Sequence, residues 1–188
     1  MRRRFIITTA SSGLALPALA ACGAAAPSNA APAGAPPTGA KKSATIELDK
    51  GGSIVLDLFP DIAPNWVNNF IQKANASFYA GLVFHRVEDW VIQGGDPRGN
   101  GTGGGQIPSE LNQRPFTMGS VGVARDPDIR VNNDSQFFIV LKPGPSELGG
   151  KWSQLDGQYT NFGQVTDGMP VALAVKIGDK IKRVTIKG

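Results

Sequence analysis

The chain has 188 residues, room for one domain with extensions, and carries 19 Lys+Arg against 15 Asp+Glu for a formal charge of +4. Such a surplus points towards nucleic acid or another acidic surface, but aromatics at 7% are too few for a wide base-stacking platform. One Cys excludes an internal disulfide, one Cys and one His cannot build a tetrahedral zinc site, and 41% apolar residues suffice for a buried core.

Residues 1–21 read as a signal peptide. Arg2, Arg3 and Arg4 give a basic start, an uncharged and largely apolar run follows over residues 5–19, and small residues close it at Ala20 and Ala21. The run is shorter than the roughly 20 apolar residues of a membrane-spanning helix and is interrupted by Thr8, Thr9, Ser11, Ser12, Gly13 and Pro17. Leu19-Ala20-Ala21-Cys22 resembles the lipobox of bacterial lipoproteins. That resemblance implies cleavage before Cys22 and a lipid on its sulfur, the alternative being secretion with a free thiol. Arg2-Arg3-Arg4-Phe5-Ile6 loosely resembles a twin-arginine export motif as well, although a basic start also suits the general secretory route.

Residues 23–40 are all Ala, Pro, Gly, Ser, Asn or Thr, a composition with nothing to bury. They are therefore expected to form a disordered tether, with an end-to-end distance of roughly 25 Å as a flexible coil, and residues 22–43 are read as this tether together with the Cys22 whose lipid the lipobox resemblance implies. Residues 1–43 hold Arg2, Arg3, Arg4, Lys41 and Lys42 and no acid, so the remainder carries 14 basic against 15 acidic residues. The positive surplus belongs to the export signal and tether, and no nucleic-acid partner is expected.

The folded part is expected to span residues 44–188. Ile46 and Leu48 alternate with Glu47 and Asp49, and Ile54, Leu56 and Leu58 repeat that period beyond Gly51-Gly52, the pattern of an antiparallel hairpin. Pro64 suits the first turn of a helix, and Val67, Phe70, Ile71 and Ala74 form its apolar stripe. Strands are expected over residues 82–87, 90–93, 116–124, 136–141 and 161–165, then a short helix over 170–175 and a last strand over 180–187. Lys176, Lys180, Lys182, Arg183 and Lys187 in that final stretch suit a solvated, charge-protected strand. Many short strands and two helices predict a mainly β barrel or sandwich.

Gly99-Asn100-Gly101-Thr102-Gly103-Gly104 satisfies G-x-G-x-x-G, but Gly105-Gln106-Ile107-Pro108 follows where a dinucleotide site needs a helix. Gly150-Lys151 precedes Trp152, so no phosphate loop ends there, and there is no G-x-S-x-G elbow. His85, the sole imidazole, lies between Phe84 and Arg86 and reads as a buried structural residue. Arg86, Gln93 and Gln136 are polar residues set among apolar strands. They need partners or line a cleft, and an internally satisfied network is the alternative.

Phe84-His85-Arg86-Val87, Val91-Ile92-Gln93-Gly94-Gly95-Asp96, the 99–104 glycine loop, Ser135-Gln136-Phe137-Phe138-Ile139 and Leu155-Asp156-Gly157 with Phe162-Gly163-Gln164-Val165 occur in this order. Together they resemble the cyclophilins, peptidyl-prolyl cis-trans isomerases, from about residue 44 to the end. The resemblance implies a closed eight-stranded antiparallel barrel capped by two α-helices, with the active face outside. It implies Arg86 as the donor to the prolyl nitrogen, Gln93 and Gln136 holding substrate backbone, and a proline pocket of Trp90, Val91, Phe138 and Leu155. Gly101, Ala124, Arg125 and Gln136 fall where the family contacts residues before proline. Isomerisation breaks no bond, so no metal or cofactor is implied. The expected partners are proline-containing polypeptides, handled by a monomer held to a bacterial membrane through Cys22 and facing the periplasm or cell exterior. A proline-segment binding module without useful turnover is the rival reading. A barrel holding a small ligand inside is disfavoured by the bulky apolar residues on the strands.

Several positions depart from the family pattern. Only Val87, Glu88 and Asp89 separate Arg86 from Trp90, one residue fewer than in the best-known eukaryotic members. Trp90 stands for the usual Phe, Val91 for Met, and Tyr159 for a frequent pocket His. Gln154 occupies the place of the Trp found in drug-sensitive members, with Trp152 two positions away. Weak cyclosporin binding is the expectation.

Overall fold

A computed structural model describes residues 42–146, 149–150 and 152–188. The signal peptide, Cys22 and all but the last two residues of the expected tether lie outside the described residues. Strand β1 (Ser43–Leu48) begins within the segment assigned to the tether by composition, and Leu58 N–H already donates to Lys42 O at 2.9 Å.

β1 and β2 (Ser53–Leu58) form the expected hairpin, pairing Ile46 with Ile54. Gly51 and Gly52 close it with φ of 93° and 86°, a region open to glycine without strain. Alternate residues of both strands are buried, as a period of two demands. Helix α1 (Pro64–Asn75) buries Trp66, Val67, Phe70 and Ala74 against β7 (Val131–Val140) and β9 (Ile181–Lys187). Its first turn has no local side-chain cap. Glu110, 44 residues on, supplies one instead, accepting hydrogen bonds from Asn65 N and Trp66 N at 2.9 Å each. A carboxylate there satisfies two of the helix's unpaired donors and complements the positive end of its dipole.

The remaining elements are β3 (Phe84–Val87), β4 (Val91–Gly94), β5 (Gln106–Pro108), β6 (Ser120–Arg125), β7 (Val131–Val140), β8 (Asn161–Asp167), α2 (Met169–Leu173) and β9 (Ile181–Lys187). All ladders are antiparallel, in the order β3-β4-β7-β6-β8-β2-β1-β9, with β5 attached to β7 off this path. The mainly β class and the two helices agree with the sequence reading.

The fully closed eight-stranded barrel does not. The sheet has nine strands, and its end strands β3 and β9 are joined only by an isolated bridge between Val83 and Lys180. It is a curled, open half-barrel. The bridge itself consists of Ile181 N donating to Leu82 O at 2.8 Å and Phe84 N to Asp179 O at 2.9 Å. Beyond it Phe84 O is taken by Gly178 N, in the turn before β9, at 2.9 Å, so the pairing ends there and no ladder continues. The exposed edge falls on β9, where Lys182, Arg183 and Lys187 face solvent and Arg183 Nε meets Glu47 Oε1 at 2.7 Å.

Two further expectations need correction. Residues 116–119 are not strand, because Met118-Gly119 make a turn with Gly119 at φ 82°. β7 starts at Val131 rather than at residue 136; its polar first half pairs with β5, which the sequence reading missed.

The main core packs α1 on the concave side of the sheet. Phe70, Trp66, Tyr79, Phe137 and Phe162 form a contiguous aromatic group there, with ring centroids 4.1–6.0 Å apart. A second, smaller cluster of Val91, Phe116, Phe138, Val140 and Leu155 occupies the outer face.

The Glu110 cap is testable. Glu110→Ala is expected to lower stability by about 1–2 kcal/mol, the usual cost of losing a helix cap. Urea unfolding should show a lower midpoint at an unchanged slope, and an unchanged midpoint would refute the cap's contribution.

Candidate active site

The outer cluster exists because three adjacent strands present alternate residues to opposite faces. Along β7, Phe137 and Ile139 enter the main core while Phe138 and Val140 face outwards. On β4, Ile92 points in and Val91 out; on β6, Val121 and Val123 point in. Register sets Gln93 of β4 and Gly122 of β6 on either side of Phe138. A Cβ at Gly122 would lie 2.2 Å from Phe138 Cζ, so glycine is what lets that ring lie down on the sheet. Phe116 stacks on it at 5.6 Å and Tyr159 meets it edge-on at 5.6 Å.

Above this floor is a cavity of about 120 Å³ lined by Arg86, Trp90, Val91, Gln93, Ala124, Arg125, Phe138, Leu155 and Tyr159. These are the residues singled out from sequence, except Gly101 and Gln136. Those two lie beside the cavity and are bound to its wall. Gln93 Nε2 donates to Gln136 Oε1 at 2.9 Å, and Gln136 Nε2 donates to Gly101 O at 3.2 Å and Gly103 O at 2.8 Å. Of the three polar residues set among apolar strands, Arg86 and Gln93 line the cleft, and Gln136 ties them to the glycine loop behind it.

The cavity's two arginines are engaged differently. Arg125 Nε donates to Gln158 O at 2.9 Å, its Nη1 to Asp126 O at 2.9 Å, and its guanidinium lies 4.6 Å from the Tyr159 ring. It is tied into the wall. Arg86 Nε donates to Glu88 Oε1 at 2.7 Å and Nη1 reaches Gln93 Oε1 at 3.4 Å, while Nη2 makes no hydrogen bond among the described residues.

The glycine loop is organised from within. Asp96 is fully buried, and its carboxylate accepts from Arg98 N at 2.9 Å, Asn100 N at 2.8 Å and Gly101 N at 2.5 Å. Burial pushes this carboxyl up, but the three backbone N–H groups and nearby His85 outweigh it and hold it below its ordinary value. The N–H groups that a phosphate would need in a glycine nest are therefore occupied by the protein's own carboxylate. Gly103 has no room for a side chain, since a Cβ would fall 2.1 Å from Asp96 Oδ1.

Sequence reasoning missed Glu88, Phe116, Gly122 and Trp152. Glu88 sits at alternate spacing between Arg86 and Trp90, a signal that was there to be used. Trp152 lies against Trp90 with ring centroids 4.8 Å apart and planes tilted by 32°, and packs on the outer cluster. Among the described residues no group of His, Cys, Asp and Glu could hold a metal ion.

Residues 43–187 match the family model described as cyclophilin type peptidyl-prolyl cis-trans isomerase/CLD. Peptidyl-prolyl cis-trans isomerase B of Bacillus subtilis is 38% identical over 150 residues, covering 78% of this chain and 99% of that protein. A peptidyl-prolyl cis-trans isomerase of Synechococcus elongatus is 40% identical over 148 residues, 76% of this chain and 94% of that protein. A solved cyclophilin type peptidyl-prolyl cis-trans isomerase of Cryptosporidium parvum superposes with a TM-score of 0.66 at 25% identity, covering 79% of this chain and 99% of its own. The same protein, solved in the presence of the dipeptide ala-pro, gives 0.64 at 25% identity over 78% and 99%.

His85, expected to be buried, is half-buried as a residue, but both its ring nitrogens are shielded and without hydrogen-bond partners among the described residues. Burial lowers its pKa, Asp96 raises it and Arg86 lowers it, for a net value below the ordinary 6.5. The folded chain therefore takes up this proton less readily than the unfolded one. Stability from neutral His85 is present above about 6.5 and is lost as pH falls through the lower folded value. Proton NMR titration of this sole imidazole should give a midpoint below 6.5; a midpoint at or above it would refute the burial argument.

Proposed function

The chain belongs to the cyclophilin-type peptidyl-prolyl cis-trans isomerases, and on that premise we propose that Arg86 stabilises the twisted Xaa-Pro bond over the Phe138 floor. One observation carries the mechanism: a guanidinium with an unengaged Nη2 in the wall of a small cavity that pairs apolar side chains with Gln93 and two arginines. Rotation about the bond breaks amide conjugation, at a barrier near 20 kcal/mol. As conjugation is lost the prolyl nitrogen regains its lone pair and becomes an acceptor for a charge-assisted hydrogen bond.

The proline ring would sit among Trp90, Val91, Phe138 and Leu155, walled by Tyr159. Gln93, Gln136 and Gly101 form the polar side of the site, where the peptide backbone before proline would lie against Ala124 and Arg125. Raising the rate about 10⁵-fold requires roughly 7 kcal/mol of preferential transition-state binding. One charge-assisted hydrogen bond supplies part of this, and fixing the ring and backbone supplies the remainder.

The substrates on this reading are proline-containing segments of exported proteins, whose folding the enzyme assists. The domain is read as acting as a monomer. Cys22 would carry lipid and place the domain in the periplasm or outside the cell. Among the described residues no helix is long and apolar enough to cross a membrane.

Cis–trans exchange in an Ala-Pro peptide, followed by NMR, tests the mechanism. Arg86→Ala should lower kcat/KM about 100-fold, the range for removing one transition-state donor. Equal rates would remove Arg86 from that role, and no acceleration by either protein would favour the binding module. Mass spectrometry of protein extracted from membranes should find an acylated Cys22; an unmodified thiol would defeat the anchor.

A further inference from the structure

Glu88 is used by none of the chemistry above, yet its carboxylate bridges two walls of the site. Oε1 accepts from Arg86 Nε at 2.7 Å and Oε2 accepts from the Trp90 indole Nε1 at 2.9 Å. The same indole lies 5.7 Å from the Arg86 guanidinium. We propose that Glu88 is a positioning residue for isomerisation, acting through Arg86 by fixing the guanidinium before substrate arrives. The proposal rests on the reading of Arg86 as the donor.

The backbone explains the placement. Glu88 N donates to Val91 O at 2.8 Å, which closes the β3–β4 hairpin over Asp89 and Trp90. This short connection brings the side chains of Arg86, Glu88 and Trp90 to the same side of the turn. The neighbouring carboxylate does not compete for Arg86, because Asp89 is paired with Lys142. The Arg86 hydrogen bond, with smaller help from the Trp90 indole, outweighs slight burial and holds the Glu88 carboxyl below its ordinary value, so it is an acceptor at neutral pH.

An arginine free in solution samples many rotamers, and ordering it on substrate binding costs entropy. With Nε pinned by Glu88 and Nη1 directed at Gln93, the guanidinium is already oriented when the prolyl nitrogen develops its lone pair. A carboxylate is the side chain this requires. Glutamine has nearly the same shape but one acceptor oxygen, so it can keep the bond to Arg86 or to Trp90 but not both.

The test compares the wild type, Glu88→Gln, Arg86→Ala and the double variant by NMR exchange in an Ala-Pro peptide. Glu88→Gln is expected to lower kcat about fivefold to tenfold with KM changed by less than about twofold, as misplacement of a transition-state donor predicts. In the Arg86→Ala background the same substitution should have no further effect. The Arg86 Nε–H resonance should shift and exchange faster with water in Glu88→Gln, while the thermal midpoint stays within about 2 °C because the pair is solvent-exposed. An unchanged kcat in Glu88→Gln, with Arg86→Ala impaired, would overturn the positioning role alone. A raised KM at constant kcat would assign Glu88 to the Trp90 wall instead, and a further loss in the double variant would show that it does not act through Arg86. Full activity in Arg86→Ala would overturn the donor reading itself.

Discussion

The two-sided register of β7 is the constraint on which both the core and the site depend. Phe137 and Ile139 face α1 and the main core, while Gln136, Phe138 and Val140 belong to the outer face. A slip of one residue would exchange the two sets, driving Gln136 into the core and removing the floor of the cavity. The inner side holds the register against that slip. Phe137 is met nearly edge-on by Phe70, Tyr79 and Phe84, with centroids 6.0–6.3 Å away. The geometry of the outer site is thus fixed from the opposite side of the sheet.

Rigidity is what a bond-rotation catalyst can use. With no nucleophile and no proton to move, its contribution lies in how little its donors and walls reorganise as the substrate twists. Hydrogen bonds run from Arg86 through Gln93 and Gln136 to the carbonyls of Gly101 and Gly103, and the loop bearing those carbonyls is folded around buried Asp96. The fixed cation and the glycine loop are parts of one connected structure.

Local periodicity made some of this legible in the sequence. The β1–β2 hairpin and the α1 stripe follow from alternation and from i, i+3, i+4 spacing, and both formed as read. β5 was hidden because three residues beside glycines have no pattern of their own; β5 exists only as a partner of β7. The first half of β7 was hidden for a related reason. Asn132 is buried there and spends its side chain on Thr160 at 2.8 Å, so a polar residue occupies an interior strand position. Phe116 suggested a strand, but its ring serves as a packing partner for Phe138 from irregular backbone. The ordered motifs named most of the cavity lining. They could not reveal Gly122, whose importance lies in the atoms a side chain would displace, or the Glu110 cap, which crosses 44 residues of sequence.

The placement of the three tryptophans gives the chain two separate optical reporters. Trp66 is fully buried, its ring 4.1 Å from Phe162 and its Nε1 donating to Asn133 O at 3.0 Å, so its emission follows the integrity of the core. Trp90 and Trp152 form a pair at the cavity wall, partly open to solvent, where a ligand changes their surroundings. Near-ultraviolet signals of folding and of peptide occupancy arise from different indoles on opposite faces of one sheet, and both processes can be followed without attaching a dye.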